Sequence, residues 1–435
     1  MAEKNTHQPG PTAQAAVDVI EQLGPGLITG AADDDPSGIA TYSQAGAQFG
    51  LNMLWTVVAC LPFMIAIQSV CARIGCVTGK GLAANIKTIF PRWLLTLLVI
   101  LLVVANVINI AADIAAMGAA AKLVIPGPID MHVYVVAFAA LSLALQVFMS
   151  YDKYAGLLKW LTLTLLAYVG VVFTVKIPWD QVALRTLMPQ LAINKDSLTM
   201  LVAILGTTIS PYLFFWQSSE EVEELEKSGG HALNDGEDKV QARKKLRRIG
   251  IDTISGMFLS ELIAFFVILT AAVTLNVHHV TNINSAADAA AALKPVAGPF
   301  ASLIFSLGII GTGLLAIPVL AGSAAYAVAE TRGWSSGLNH KLFEAKEFYA
   351  IIALSIVGGI AVSFSPIDPI KALVLSAVVN GVAAVPIMAV AMLVATRKSL
   401  MGDYTATWVQ RISGWVATVA MGAAAVAMIA LMLIK

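Results

Sequence analysis

The sequence predicts an all-α polytopic membrane protein with about eleven transmembrane helices, and three observations lead there. Of its 435 residues, 58% are hydrophobic and only 12% are charged, against about 45–50% and about 25% in soluble domains. The mean hydropathy is +0.80. The apolar residues also gather in long stretches, each near the ~20 residues that a helix needs to cross the hydrocarbon core. With half the usual charge, the chain cannot cover a soluble surface of its size. Its 27 Lys and Arg are balanced by 27 Asp and Glu, which leaves no dominant basic face for a nucleic acid. Cys60, Cys71 and Cys76 all lie in or beside the second apolar stretch. An odd count without repeated Cys-x-x-Cys spacing offers neither a disulfide framework nor a zinc site, so these are read as small packing residues.

The predicted spans are 24–49, 51–72, 93–117, 132–150, 157–177, 198–217, 250–275, 298–329, 349–366, 371–395 and 408–433. Residues 1–23 are polar, contain Pro9-Gly10-Pro11, and read as a cytoplasmic tail rather than a cleaved signal. With the N-terminus inside, 20 of the 27 Lys and Arg fall on inner loops, the bias that cytoplasmic loops carry. An odd number of spans then places Lys435 outside, in a multi-pass protein of the cell membrane. The long polar connection 218–249 joins an acidic run, Glu220 to Glu226, to the basic run Arg243-Lys244-Lys245-Leu246-Arg247-Arg248. It reads as a cytoplasmic loop whose basic end meets anionic headgroups; an acidic run gathering cations near an inner gate is the alternative.

Two spans are interrupted, the first by Asp35-Pro36-Ser37-Gly38 and the sixth by Ser210-Pro211. Proline cannot donate its N–H and clashes with the preceding turn. Breaks in the first and sixth positions are what two inverted five-helix repeats produce: 24–197 (spans 1–5) and 198–395 (spans 6–10), with 396–435 adding a peripheral eleventh span. Broken helices survive at membrane depth only where they line a cavity or are buried in protein.

The chemistry is expected at these breaks. Asp33-Asp34-Asp35 stands inside an otherwise uncharged apolar segment, where one carboxylate at the bilayer centre already costs about 2.5–3.5 kcal/mol. Breaking the helix frees carbonyls around Ala32, beside Asp35. In Gly206-Thr207-Thr208-Ile209-Ser210-Pro211-Tyr212, the second break frees carbonyls near Thr207 and brings in the Ser210 hydroxyl. Carboxylate, carbonyl and hydroxyl oxygens together suit a hard cation. Asp34, Asp113 and Glu261 are further intramembrane carboxylates that could line the ion path or relay protons; the alternatives are that Asp33 and Asp34 sit at the helix end near the interface and that Asp113 pairs with a basic residue. Asn380 in the tenth span is a neutral oxygen that either reaches the ion or bonds between helices. The adjacent His278 and His279 read as residues of an outer loop.

The stretch from Gly24 to Gly81, with GPGLITGAADDDPSGIATYSQAGAQFG, then Ala72-Arg73-Ile74-Gly75 and Val77-Thr78-Gly79-Lys80, resembles the natural resistance-associated macrophage protein (Nramp) family of divalent-metal transporters. The likeness extends through the sixth span and more loosely to the C-terminus. It implies a leucine-transporter-like inverted repeat of ten helices plus one, alternating access, a transported metal as substrate and no resident cofactor. The chain departs from the family pattern where the pattern carries ligands. Against Asp-Pro-Gly-Asn, Asp35 and Pro36 match, while Ser37 and Gly38 replace the last two. Against Met-Pro-His, Ser210 and Tyr212 flank a matching Pro211, and the third-span Asp113 matches while Ala116 stands where the family has glutamate.

A thioether favours softer transition metals, whereas Mg2+ prefers oxygen and gives up its waters reluctantly. An oxygen-only site with extra room at Gly38 therefore resembles the magnesium-transporting branch of the family. The implied ligands are Asp35, the Ala32 and Thr207 carbonyls and Ser210, with Gly38 giving space. Asp113, Tyr212, Asp34 and Glu261 would lie along the pathway, and the loss of two titratable groups argues against proton coupling. The expected activity is Mg2+ import, with Mn2+ tolerated. A proton-coupled Mn2+/Fe2+ importer is the alternative. A sodium-coupled amino-acid symporter is disfavoured by three aspartates facing an anionic substrate, and a metal sensor by the lack of a soluble output region. No nucleophile–base pair points to an enzyme.

Overall fold

The computed structural model describes residues 25–149, 163–236 and 238–433. The expected tail 1–23, the start of the fifth span and Lys435 lie outside the described residues. The described chain is helical, with no strand among the described residues. Its principal helices are α1 (Pro25–Asp33), α2 (Pro36–Phe49), α3 (Leu54–Thr78), α4 (Leu82–Ile89), α5 (Arg92–Val124), α6 (Met131–Phe148), α7 (Trp179–Leu187), α8 (Lys195–Thr208), α9 (Pro211–Lys227), α10 (Lys239–Thr274), α11 (Ala301–Arg332), α12 (Lys346–Ser363), α13 (Pro369–Thr396) and α14 (Trp408–Leu433).

Among the described residues, nine stretches are long and apolar enough to cross a membrane. The difference from eleven has two sources. Part of the predicted fifth span is undescribed, and α2 and α3 run on through Gly50 as one 43-residue stretch. They are nevertheless two passes. Asn276, just beyond one end of α10, bonds the Ala47 carbonyl (2.7 Å), whereas a Cβ at Gly79 would meet Ala232, close to the other end. Gly50, at φ +58, makes the turn.

Helices α1 and α2 run alongside α10 in the same direction, with backbones almost touching. A Cβ on Gly30 would lie 2.4 Å from the Gly256 carbonyl oxygen, and one on Gly46 would lie 2.2 Å from that of Ile268. Small residues at such crossings are how helices associate where lipid removes the hydrophobic driving force. Gly206 and Gly381 let α8 and α13 cross equally closely.

Both ends of the connection 218–249 are helical. Helix α9 carries the acidic run to Lys227, and α10 takes up the basic run from Lys239, so only Ser228 to Asp238 lies between them. Glu and Lys are good helix formers, and while Glu224 and Glu226 are exposed, buried carboxylates at this end of the bundle are held from within. Gln217 donates to Glu221 (3.0 Å), Tyr326 and the Leu338 N–H donate to Glu223, and Ser219 and the Ala84 N–H donate to Glu330 (2.8 and 3.0 Å). Glu220, Glu221 and Glu223 are buried, so they knit helix ends together and do not form an open funnel for cations. At 36 residues, α10 is about 54 Å long, well beyond the ~30 Å hydrocarbon core, which lets its basic first turns stand clear of the bilayer. Cys60, Cys71 and Cys76 are buried within α3, and His278 and His279 are exposed beyond α10.

Candidate metal site at two helix breaks

The first span breaks between Asp33 and Pro36. Asp35 becomes the N-cap of α2: its Oδ1 accepts from the Gly38 N–H (2.6 Å). Pro36 follows at the first helical position, where a missing N–H costs nothing. The other oxygen, Oδ2, accepts from Asn109 Nδ2 of α5 (2.9 Å). Each carboxylate oxygen keeps a further lone pair. Asn109 and Asp113 are four residues apart on α5, hence on one face. Asp113 is within charge–charge range of Asp35, and neither of its oxygens has a hydrogen-bond partner among the described residues.

The sixth span breaks at Ile209 and Ser210, and α9 restarts at Pro211. Ser210 makes no forward cap. Its hydroxyl turns back and donates to the carbonyls of Gly206 and Thr207 (both 2.8 Å). The Thr207 carbonyl expected as a ligand is thus already accepting one bond. The breaks meet side by side. Tyr212 OH donates to the Ala32 carbonyl (3.2 Å), Tyr42 OH pairs with Thr208 Oγ1 (2.9 Å), and a Cβ on Gly38 would stand 3.2 Å from Thr207 Oγ1. That last distance corrects one expectation. The space beside Gly38 is not roomy in this conformation, because Thr207, Tyr42 and the Asp33 carbonyl oxygen crowd it.

Asp33 and Asp34 turn toward α10, away from Asn109. Ser260 Oγ lies 2.8 Å from Asp33 Oδ2 and 3.2 Å from Asp34 Oδ1. Glu261, the next residue, is buried within charge–charge range of both, with neither carboxylate oxygen bonded among the described residues. Cys60 of α3 interacts with the charges of Asp33 and Glu261. Asn380 is buried on α13, beside the Gly381 that abuts Gly206, and neither atom of its amide has a partner among the described residues.

Sequence reasoning missed Asn109 and Ser260. The four-residue interval to Asp113 was a readable signal for Asn109; Ser260 carried none, since only the packing of α1 on α10 brings it to the aspartates. No group of three or more His, Cys, Asp or Glu among the described residues could hold a metal ion. A cation at the breaks would therefore meet at most two such side chains, the rest of its shell coming from carbonyl, hydroxyl or amide oxygens. Such oxygens suit hard ions. The helix ends help: α1 and α8 point carbonyl-rich C-termini, the negative ends of their dipoles, into the same place.

The fold and the sequence lead to one group of proteins. A family model described as natural resistance-associated macrophage protein-like matches residues 26–431. A divalent metal cation transporter MntH from Acidiphilium cryptum is 26% identical over 386 residues, covering 87% of this chain and 83% of the relative. One of the same name from Caldanaerobacter subterraneus is 25% identical over 409 residues, covering 91% and 89%. Among solved structures, a manganese transporter from Eremococcus coleocola superposes with a TM-score of 0.69 at 17% identity, over 98% of this chain and 88% of that one. Mhp1, a nucleobase-cation-symport-1 family transporter, superposes with a TM-score of 0.55 at 12% identity, over 94% and 92%. These likenesses establish the expected leucine-transporter-like fold. With nearly its whole length matched, the chain belongs to the natural resistance-associated macrophage protein-like family.

Proposed function

We propose that this protein imports divalent metal ions across the cell membrane by alternating access, that Mg2+ is its principal substrate with Mn2+ tolerated, and that transport is not coupled to protons. The observation that carries the reading is the pair of adjoining breaks, where the groups presented are the Asp35 carboxylate, backbone carbonyls and the Ser210 hydroxyl. Relatives named as divalent metal cation transporters support the general activity. The magnesium preference rests on chemistry. A hydroxyl at position 210 gives a soft metal nothing that it prefers, while a partly hydrated Mg2+ is well served by one carboxylate and neutral oxygens.

In this reading Asp35 supplies the negative charge, and the Ala32 and Thr207 carbonyls and Ser210 are neutral ligands or partners of retained waters. For the two carbonyls to reach the ion, Tyr212 and Ser210 must share or release their present bonds, which couples binding to movement at both breaks. Gly38 gives space only once Thr207 withdraws. Asn380 is the neutral reserve ligand, and Asp34, Asp113, Tyr212 and Glu261 lie along the pathway. Segments 24–197 and 198–395 act as the two repeats, and the N-terminus faces the cytoplasm. A divalent ion gains about 4.6 kcal/mol per 100 mV of inside-negative potential, so inward flow needs no second ion.

The test is Mn2+ uptake into proteoliposomes containing a pH dye, with Mg2+ or Ca2+ added outside. Inhibition by millimolar Mg2+ without acidification is the expected result. Indifference to Mg2+, with acidification tracking Mn2+, would assign the protein to proton-coupled transition-metal import.

A further inference from the structure

Away from the helix breaks, a cavity of about 610 Å³ opens on the flank of the bundle between α5 and α11. These helices run antiparallel: Asn106 bonds the Leu320 carbonyl (2.8 Å), while Ser306 bonds the Ala120 carbonyl (2.9 Å). The first residue of α5, Arg92, therefore comes beside the last of α11, Arg332, and Lys87 of α4 joins them at the same end of the cavity. All three side chains are exposed, and none forms a salt bridge or hydrogen bond with another described residue. The nearby carboxylate, Glu330, turns the other way to accept from Ser219 and the Ala84 N–H.

Below the cations the wall is apolar. Leu95, Val99 and Val103 form one row of α5, Ile100 and Val104 the next, and Val328 closes the side from α11. The hydroxyls of Thr96 and Thr331 are spent on carbonyls of their own helices, Arg92 (2.8 Å) and Ala327 (2.7 Å). From residue 95 to residue 104 the groove runs about 14 Å along α5, close to half of the ~30 Å hydrocarbon core. Trp93, 67% exposed, stands at the level of the cations, where aromatic side chains mark the membrane interface. The groove thus has the profile of one leaflet, with a cationic head end and an acyl-length apolar floor.

We propose that this groove is a binding site for an anionic glycerophospholipid, whose phosphodiester lies among Lys87, Arg92 and Arg332 and whose acyl chain lies along α5 against Val328. The occupant is argued from charge complementarity: three unpaired cations at the end of a lipid-facing apolar groove attract a headgroup with net negative charge over a zwitterionic one. The site is separate from the transport pathway and from the basic run on α10.

The experiment is native mass spectrometry of the delipidated full-length protein titrated with phosphatidylglycerol, cardiolipin or phosphatidylcholine. Wild type is expected to take up either anionic lipid at least about tenfold more tightly than phosphatidylcholine. The triple change Lys87→Gln, Arg92→Gln, Arg332→Gln is expected to erase that preference, whereas Arg243→Gln with Lys244→Gln and Arg247→Gln on α10 leaves it in place. Arg92→Lys with Arg332→Lys keeps the charges and is expected to keep the preference. Equal wild-type affinity for the zwitterionic and anionic lipids overturns the proposal without any variant. Erasure of the preference by the α10 changes moves the site elsewhere and also overturns it. Displacement of bound lipid by inorganic phosphate at equal concentration would assign the cations to a free anion, against the proposal; no displacement is expected.

Discussion

In the first span the residue before the proline is Asp35, which reaches forward to cap the helix that it begins; in the sixth it is Ser210, which reaches back to the turn that it ends. Both spans restart with proline, and both leave carbonyls without intrahelical partners. The first break brings a charge and has it steadied by the Gly38 N–H and Asn109. The second brings only a neutral hydroxyl, which quiets the carbonyls of Gly206 and Thr207. In the proposed site, one half would supply the attraction for a cation, and the other would set which neutral oxygens are free to meet it. Tyr212, bonded to the Ala32 carbonyl, ties the two halves together.

The comparison breaks most easily at its charged side. Asp35→Ala is expected to reduce Mg2+ and Mn2+ uptake to background while costing only about 1 kcal/mol of stability for the lost cap. Asp35→Asn keeps an acceptor for the Gly38 N–H and separates the two roles: a thermal midpoint near wild type with uptake still lost. Transport by either variant at the wild-type rate would remove Asp35 from the site. On the neutral side, Ser210→Met is expected to shift competition about tenfold toward Mn2+ over Mg2+, since a sulfur replaces an oxygen. An unchanged competition ratio would place selectivity elsewhere.

Smaller effects probe the supports. Ser260→Ala strips Asp33 Oδ2 and Asp34 Oδ1 of their shared donor and is expected to cost about 1–3 kcal/mol, read as a fall in thermal midpoint in the reconstituted protein. A midpoint equal to wild type would mean that the pair needs no such support. Tyr212→Phe loses a single bond of 3.2 Å, about 0.5–1.5 kcal/mol, and should change uptake a few-fold at most. Abolition of uptake would mean that transport needs the Tyr212 hydroxyl itself and not only its tie to the Ala32 carbonyl.

The breaks were legible because proline and intramembrane aspartate are local signals, readable without knowing any neighbour. So was the neighbourhood of Asp113, once the four-residue step from Asn109 is noticed. What the chain did not reveal locally was decided by distant packing. The burial of the acidic run at the end of α9 goes with donors from elsewhere in the fold, Tyr326 and the Leu338 N–H to Glu223, and with Ser219 of α9 donating to Glu330, and a run of glutamates alone reads as solvated. Ser260 looks like any helical serine until α1 packs on α10 through Gly26 and Gly30. The crowding at Gly38 is likewise a tertiary fact: a glycine advertises space, and here Thr207 and Tyr42 fill it.

The most direct test of the central claim, that the two breaks form an oxygen site for Mg2+, is Mg2+ influx itself. Proteoliposomes loaded with a magnesium-sensitive dye and a pH dye, and held at an inside-negative potassium diffusion potential, would be compared for wild type and Asp35→Asn. The expected result is potential-driven Mg2+ influx in wild type, no change in internal pH, and none of that influx in the variant. Mg2+ influx that persists in Asp35→Asn, or wild-type liposomes that admit Mn2+ but no Mg2+, would contradict it.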